Sequence, residues 1–428
     1  MANALQPLPG FRDFAPPERL VARYFFEAWS RVASRYGFSE FEAPIVEGAA
    51  LYLKKSGGEL SSQLFRFADQ GGRDCVLRPE LTASLARIVA GRQRDFPKPL
   101  KWFEIGRCFR YEKPQRGRLR EFYQFNADVL GEPSPAADAE LIALAIDIMR
   151  ELGFVAGDFV VRLSDRRAWQ EFCDAQGVTD VDGFLQAVDK LDREPAEKTE
   201  ARLRATGTTT EAVQGFISDP GHHTGGLAAV RSDLEARGLG DFVEIDLSVV
   251  RGLAYYSGLV FEVFDAGRAL RSVAGGGRYD NLVAVLTDGA TGLPATGFAM
   301  GDCVIAELVN ETPHALARMQ AWRQRQRTCE VYVVIADEGQ RPAAMRLVSD
   351  LRAAGIRTDF PLAPARVNRQ FKAAGHALAR FAVVVGSEFP ELKLKVMASR
   401  HEESLAPNTD PVACLQQRLA QPDGPLLA

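Results

Sequence analysis

The sequence predicts two domains that mix helices and strands: a large α+β domain built around an antiparallel hairpin, and a compact α/β domain at the C-terminus. Three observations predict it. Residues 101–131, KWFEIGRCFRYEKPQRGRLREFYQFNADVLG, read as strand, tight basic loop and strand, with the turn near Pro114–Gly117. Residues 166–240 are charged, short of strand patterns and helical by spacing (VDGFLQAVDKLD, TEARLRATG, LAAVRSDLEARG), which reads as a helical insertion. From Cys329 onward, apolar strands alternate with amphipathic helices over about a hundred residues, the pattern of an α/β unit whose strands are buried on both faces.

The hairpin organises the rest. Strand side chains alternate faces, so parity sorts them. On the return strand Arg118, Arg120, Phe122, Gln124 and Asp128 share one face, and Tyr123, Phe125, Ala127 and Val129 take the other, mostly apolar face. Arg110 and Glu112 share a side on the outgoing strand. A solvated outer face is the ordinary explanation for such polar positions. Phe122 argues against it, because an exposed ring between Arg120 and Gln124 serves no structural purpose. The face is read as a site for an anionic, aromatic ligand.

The chain's 428 residues allow two or three domains with substantial cores. Its net charge of -4 argues against wholesale coating of nucleic acid and permits a local basic patch. The N-terminus, MANALQPLPGFRDF, lacks a signal-peptide pattern, and no apolar run approaches the ~20 residues that span a bilayer. A cytoplasmic protein without a membrane partner is expected. The six cysteines are scattered without CxxC spacing, which predicts reduced thiols and no zinc site. His222 and His223, in DPGHHTGG, have no metal-ligating partner nearby in sequence and are placed in a loop.

Taken in order, Pro16–Pro17 starts a helix, ERLVARYFFEAWSRVASRYGF, that Gly37 ends. FSEFEAPIVE follows as one strand; a long helix leading into a Pro-bearing strand often builds a subunit interface. LFRFAD and CVLRPE form a hairpin around Gln70–Gly72. The second delivers Arg78-Pro79-Glu80-Leu81-Thr82 to the mouth of the helix TASLARIVAG. Thr82 there is an N-cap, a site group, or both. After the central hairpin come the amphipathic helix AADAELIALAIDIMRELGF and the strand FVVRLSD. Beyond the insertion lie the strand DFVEIDLSVV and VVRGLAYYSGLVFEVF, in which Arg251 precedes a strand bearing Tyr256, Gly258, Val260 and Glu262 on one face. AGGGRYDNL is read as a Gly-rich turn before a helix; without GK[ST] it is no P-loop. TGFAMGDCVIAELV is a strand feeding a helix, and RMQAWRQRQR is a basic linker-like helix.

These pieces, in this order, resemble a class II aminoacyl-tRNA synthetase, and most closely the histidyl-tRNA synthetase family. FRYEKPQRGRLREFYQF resembles motif 2, VVRGLAYYSG the histidine-specific signature, RPELT the amino-acid-binding segment, and GGGRYDNL the segment that follows the signature. The resemblance covers nearly the whole chain. It implies an α+β catalytic domain of class II type over 1–325, with an antiparallel sheet flanked by helices and the 166–240 insertion within it, and an anticodon-binding domain over 326–428. It implies a homodimer joined through the first helix and strand. The activity implied ligates L-histidine to histidine tRNA through a histidyl-adenylate made from ATP with Mg2+. By the same resemblance Arg110 and Arg251 are catalytic; Phe122, Glu112 and Arg118 bind ATP with them. Gln124, Asp128, Tyr255 and Tyr256 surround the imidazole, and Glu80 and Thr82 hold the amino group.

Two positions depart from the family pattern. Asp128 stands where many members carry glutamate. Motif 3 usually supplies an arginine for the γ-phosphate, yet here Gly301-Asp302-Cys303-Val304 has none. In RPELT and the arginine-less motif 3 the sequence resembles the organellar-type branch of the family. Arg118, Arg120 and magnesium are the candidates to carry that charge instead, and Asp302 would repel phosphate unless a cation intervened. The alternative reading is a regulatory paralogue, like the synthetase-like subunit of ATP phosphoribosyltransferase, that binds histidine without aminoacylation; such proteins typically lack the anticodon domain and blunt the catalytic arginines. A tRNA-binding sensor with a dead site is a third.

Overall fold

The computed structural model describes residues 5–53, 61–191, 194–219, 221, 224–250 and 255–421. The chain divides into two compact units, Met1–Gln320 and Ala321–Ala428.

In the first unit the strands are β1 (Ser39–Glu40), β2 (Val46–Gly48), β3 (Phe65–Ala68), β4 (Asp74–Leu77), β5 (Leu100–Phe109), β6 (Glu121–Leu130), β7 (Phe159–Asp165), β8 (Val243–Ile245), β9 (Leu259–Asp265), β10 (Ala274–Arg278) and β11 (Ala295–Gly301). Eight of them form one sheet among the described residues, in the order β1-β5-β6-β11-β10-β9-β7-β8. Every pairing is antiparallel except the outer ones, β1 with β5 and β7 with β8. This is the antiparallel α+β architecture expected. β2, β4 and β3 make a small second sheet.

One face of the large sheet is apolar and covered. Phe125 on β6 and Phe298 and Met300 on β11 are buried there. The helix Pro16–Arg35 lays Trp29 on them, its ring 5.8 Å from Phe125 and its Nε1–H 3.2 Å from the Met300 sulfur. The helix Pro135–Glu151, apolar almost all round, is buried along most of its length, as such a sequence requires. With that face filled, the opposite, polar face is left for a ligand.

Two readings of the sequence need correction. FSEFEAPIVE is not one strand: β1 pairs with β5, and β2 pairs with β4 in the other sheet. Pro44 lies in the break, where a residue without an N–H ends a ladder. AGGGRYDNL is not a turn either, because Ala274–Arg278 is an interior strand. Its glycines are there because the neighbours are close. A Cβ on Gly276 would lie 2.1 Å from the Gly297 carbonyl oxygen, and one on Gly277 would lie 2.5 Å from that of Leu259.

Between β7 and β8 the described residues hold five α-helices, Arg166–Gln176, Val181–Val188, Ala196–Ala205, Thr210–Ser218 and Gly225–Ala236. Trp169, Phe172, Phe184 and Phe216 pack as an aromatic cluster there.

The second unit carries β12 (Val331–Ile335), β13 (Thr358–Asp359), β14 (Phe381–Val385), β15 (Leu392–Val396) and β16 (Glu402–Leu405), ordered β13-β12-β14-β15-β16. β13, β12 and β14 are parallel and the rest antiparallel. All five residues of β12 are buried, as its unbroken apolar run predicts.

Candidate active site

The site is built on the polar face of β6, β11, β10 and β9. Their register sets Asn126, Ala299, Gly275 and Glu262 in one row across the sheet, with Gln124 opposite Gly301 in the next. The three floor positions on β10 and β11 in these rows, Gly275, Ala299 and Gly301, are all glycine or alanine, so a flat ligand can lie close on the backbone. Above this floor is a cleft of about 670 Å³, lined by Arg110, Glu112, Arg118, Phe122, Gln124 and Glu262 among others.

The hairpin supplies the first five. Its turn closes at Gln115 and Arg118, with Gly117 in the left-handed region at φ 70°. Arg110 donates from Nε to the Pro79 carbonyl (2.9 Å) and lies 5.2 Å from the centre of the Phe122 ring. That contact fixes the arginine and the ring as a pair. Arg118 and Glu112 form an ion pair at 2.5 Å.

Arg120 does not belong to this face. Its Nε donates to the Glu112 carbonyl (3.0 Å), its Nη1 to that of Pro9 (3.4 Å), and its guanidinium covers Tyr111 at 4.3 Å. β6 begins at Glu121, so strand alternation does not reach residue 120.

Beside the cleft, two carboxylates are held by two phenols. Tyr255 donates to Glu80 (3.2 Å) and Tyr279 to Asp128 (2.5 Å). Burial, then the neighbouring carboxylate, pushes both phenols well above their ordinary range, so both remain donors. Asp128 has room because a Cβ on Gly297 would sit 1.9 Å from its Oδ1. Thr82 is not the N-cap; Leu81 holds that position, and the Thr82 hydroxyl accepts from Asn126 Nδ2 (3.0 Å). Gln124 Oε1 accepts from the Cys108 thiol at 3.3 Å. Burial pushes that thiol up to about 12, which removes it as a nucleophile. The Tyr256 ring is buried beside Tyr255, at 5.0 Å, in an apolar cluster with Leu85, Val260 and Leu282. Arg251 lies outside the described residues, as do His222 and His223.

Arg78 holds the Glu80 segment in place. It is 3% exposed and donates to Glu104 (2.6 Å) and to the carbonyls of Ala43 (2.7 Å) and Arg107 (2.9 Å). A Cβ on Gly106 would meet its Nη2 at 2.2 Å, which explains that glycine. Arg78→Ala would leave Glu104 buried without its cation. The expected cost is about 3–5 kcal/mol, read as a fall in the denaturant midpoint.

Asp302 faces away from the cleft's charge. It is buried, paired with Arg12 at 2.7 Å, and accepts from the Tyr123 N–H at 2.9 Å. The cation that the sequence required at this carboxylate is thus Arg12. Sequence reasoning missed Asn126, although parity with Gln124 and Asp128 marks it. It also missed Tyr279 and Arg12, whose partners are 151 and 290 residues away.

Comparison with known proteins identifies the family. A family model described as histidyl-tRNA synthetase matches residues 10–302, and one described as anticodon binding domain matches residues 330–409. Over 408 residues the chain is 39% identical to a protein named histidine--tRNA ligase from Opitutus terrae, covering 90% of this chain and 91% of that one. It is 35% identical over 416 residues to the chloroplastic/mitochondrial histidine--tRNA ligase of Arabidopsis thaliana, covering 92% and 84%. The crystal structure of histidyl-tRNA synthetase from Nostoc sp. PCC 7120 shares the fold with a TM-score of 0.73 at 24% identity, covering 98% of this chain and 100% of that one. With 39% identity along nine-tenths of its length, the chain belongs to the histidyl-tRNA synthetase family.

Proposed function

We infer that the chain ligates L-histidine to histidine tRNA by way of a histidyl-adenylate. A carboxylate oxygen of histidine attacks the α-phosphorus of ATP, and pyrophosphate leaves. The terminal hydroxyl of the tRNA then attacks the acyl carbon, and AMP leaves.

The observation that carries the residue assignment is the row of groups along one sheet face. Arg110 is paired with Phe122 and tied through Pro79 to the segment that bears Glu80, and the cleft it lines is floored by Gly275, Ala299 and Gly301. Phe122 stacks on adenine, and Glu112 accepts from its exocyclic amine. Arg110 binds both the histidine carboxylate and the α-phosphate, a task suited to a planar fork of donors. As negative charge grows on the α-phosphate, Arg110 and the expected Arg251 stabilise it. Arg118 meets the phosphate tail. Asp128 and Gln124 take the imidazole with Tyr255 and Tyr256 around it, and Glu80 and Thr82 take the amino group. Because Tyr279 and Tyr255 already orient the carboxylates, little reorganisation remains when histidine enters.

Mg2+ fits as a companion of the nucleotide. It prefers phosphate oxygens, waters and one or two carboxylates. Glu262 is such a carboxylate on the cleft wall. The described residues hold no cluster of three or more ligating side chains that would bind a metal without ATP. When bound, the ion would screen charge on the phosphates.

The regulatory alternative is less supported, since the chain has a matching anticodon-binding domain at 330–409, which such paralogues typically lack. The division of labour follows: residues 1–325 make the adenylate, and residues 326–428 bind the tRNA. Ending the chain near Thr328 is expected to preserve histidine-dependent pyrophosphate exchange while sharply reducing tRNA charging. Loss of exchange in a folded fragment would contradict that division.

A homodimer is part of the same proposal. Ile45, Val46 and Phe67 are exposed on and next to the small sheet that follows the first helix and strand in the chain, apolar surface of the kind that partners cover. Sedimentation at twice the 46.9 kDa chain mass is expected. A cytoplasmic setting is supported by six free cysteines. Charging of a histidine tRNA transcript with labelled histidine, and of no other transcript, tests the overall activity.

A further inference from the structure

The phosphate end of the nucleotide site needs a cation that position 304 does not supply. Val304 lines the cleft near the turn glycine, where a Cβ on Gly117 would meet it at 3.3 Å. Arg120 is turned away to backbone carbonyls, and Arg12 is spent on Asp302. Arg118 reaches the cleft but is already paired with Glu112.

Two more arginines enter from the connection between β9 and β10. Arg268 and Arg271 line the same cleft as Arg110, Phe122 and Val304. Arg268 is engaged with Asp246 at 3.3 Å. Arg271 is exposed to solvent and makes no hydrogen bond or ion pair with any described residue. It lies three residues before β10, whose first residue, Ala274, pairs with Met300 of β11. Met300 is two residues before the helix Asp302–Glu311, the segment that carries Val304.

A solvated surface arginine is the ordinary fate of such a residue. Arg271 differs because it stands on the wall of a site that lacks its expected cation, on the segment beside the vacant position. Its donors have no carboxylate to release first, whereas Arg118 and Arg268 do. The nearby Gly275 and Gly301 leave the strand backbones open to a phosphate chain.

We propose that Arg271 binds the terminal phosphates of ATP in place of a motif 3 arginine. A guanidinium in that place donates two parallel hydrogen bonds to phosphate oxygens. The proposal rests on the nucleotide reading of the cleft given above.

The test compares the parent, Arg271→Ala, and Arg271→Ala combined with Val304→Arg in histidine-dependent pyrophosphate exchange. Inhibition by AMP, which lacks the terminal phosphates, is measured alongside. Arg271→Ala is expected to raise the apparent KM for ATP roughly ten- to hundredfold. The KM for histidine and the inhibition by AMP stay within a few-fold, and Val304→Arg restores part of the lost ATP affinity. An ATP KM within a few-fold of the parent overturns the proposal. So does an equal weakening of AMP, which would mean that Arg271 only shapes the cleft. If Arg271→Ala is silent while Arg110→Ala is impaired, Arg271 is eliminated and the nucleotide reading stands. A parent that shows no exchange removes both.

Discussion

Arg110→Ala is expected to slow histidine-dependent pyrophosphate exchange by roughly 10²–10³-fold, the loss that follows removal of one preorganised donor at developing charge. The side chain is fixed from two directions, by the Pro79 carbonyl and by the Phe122 ring. It therefore need not be ordered again as the pentavalent phosphorus forms. The rate should fall more than either substrate's KM rises, because an interaction made mainly in the transition state lowers kcat. Lysine in its place should recover little, since a point charge cannot bridge carboxylate and phosphate as a planar fork does. A rate within a few-fold of the parent would show that Arg110 serves only to hold the ring.

Asp128→Asn is expected to raise the KM for histidine by roughly ten- to hundredfold while leaving that for ATP within a few-fold. The carboxylate is 1% exposed, accepts from Tyr279 and occupies the space above Gly297. Substitution by the isosteric amide keeps the shape and removes the charged acceptor for an imidazole N–H. Gly297→Ala provides an independent check. A Cβ there would sit 1.9 Å from Asp128 Oδ1, so the carboxylate must move and the same histidine defect should follow. If both variants bind histidine normally, the imidazole lies elsewhere.

Much of this site was legible in the sequence because a strand has a period of two. Phe122, Gln124 and Asp128 could be assigned to one face from parity alone, and the structure sets their strand among the others of that face. The same rule failed at Arg120, one residue before the ladder begins, since parity says nothing about where a strand starts. The glycine run at 275–277 failed for another reason. A glycine in sequence marks either a turn or a close approach, and only the position of Gly297 and Leu259 decides which. Tyr279, Arg12 and Arg271 gain their meaning from partners or neighbours brought together by the sheet order, which no local pattern encodes. By contrast, the final helix Pro411–Ala420 was readable and overlooked, with Asp410 as its N-cap and proline at its first position.

The departures from the family pattern now have local explanations. Asp128 is a shorter acceptor, supported by a phenol and seated over a glycine that leaves it room. The acidic residue at 302 is neutralised by Arg12, which ties the N-terminal segment to the start of the helix bearing Val304. The missing arginine at 304 leaves a cleft whose one described arginine without a partner is Arg271.

Pyrophosphate exchange measured with each of the twenty amino acids in turn tests most directly that this sheet face makes histidyl-adenylate. Exchange is expected with histidine and with no other amino acid, because a buried, oriented acceptor, Asp128, rejects side chains that leave it unpartnered. Histidine binding without any exchange, or exchange driven by another amino acid, would contradict it.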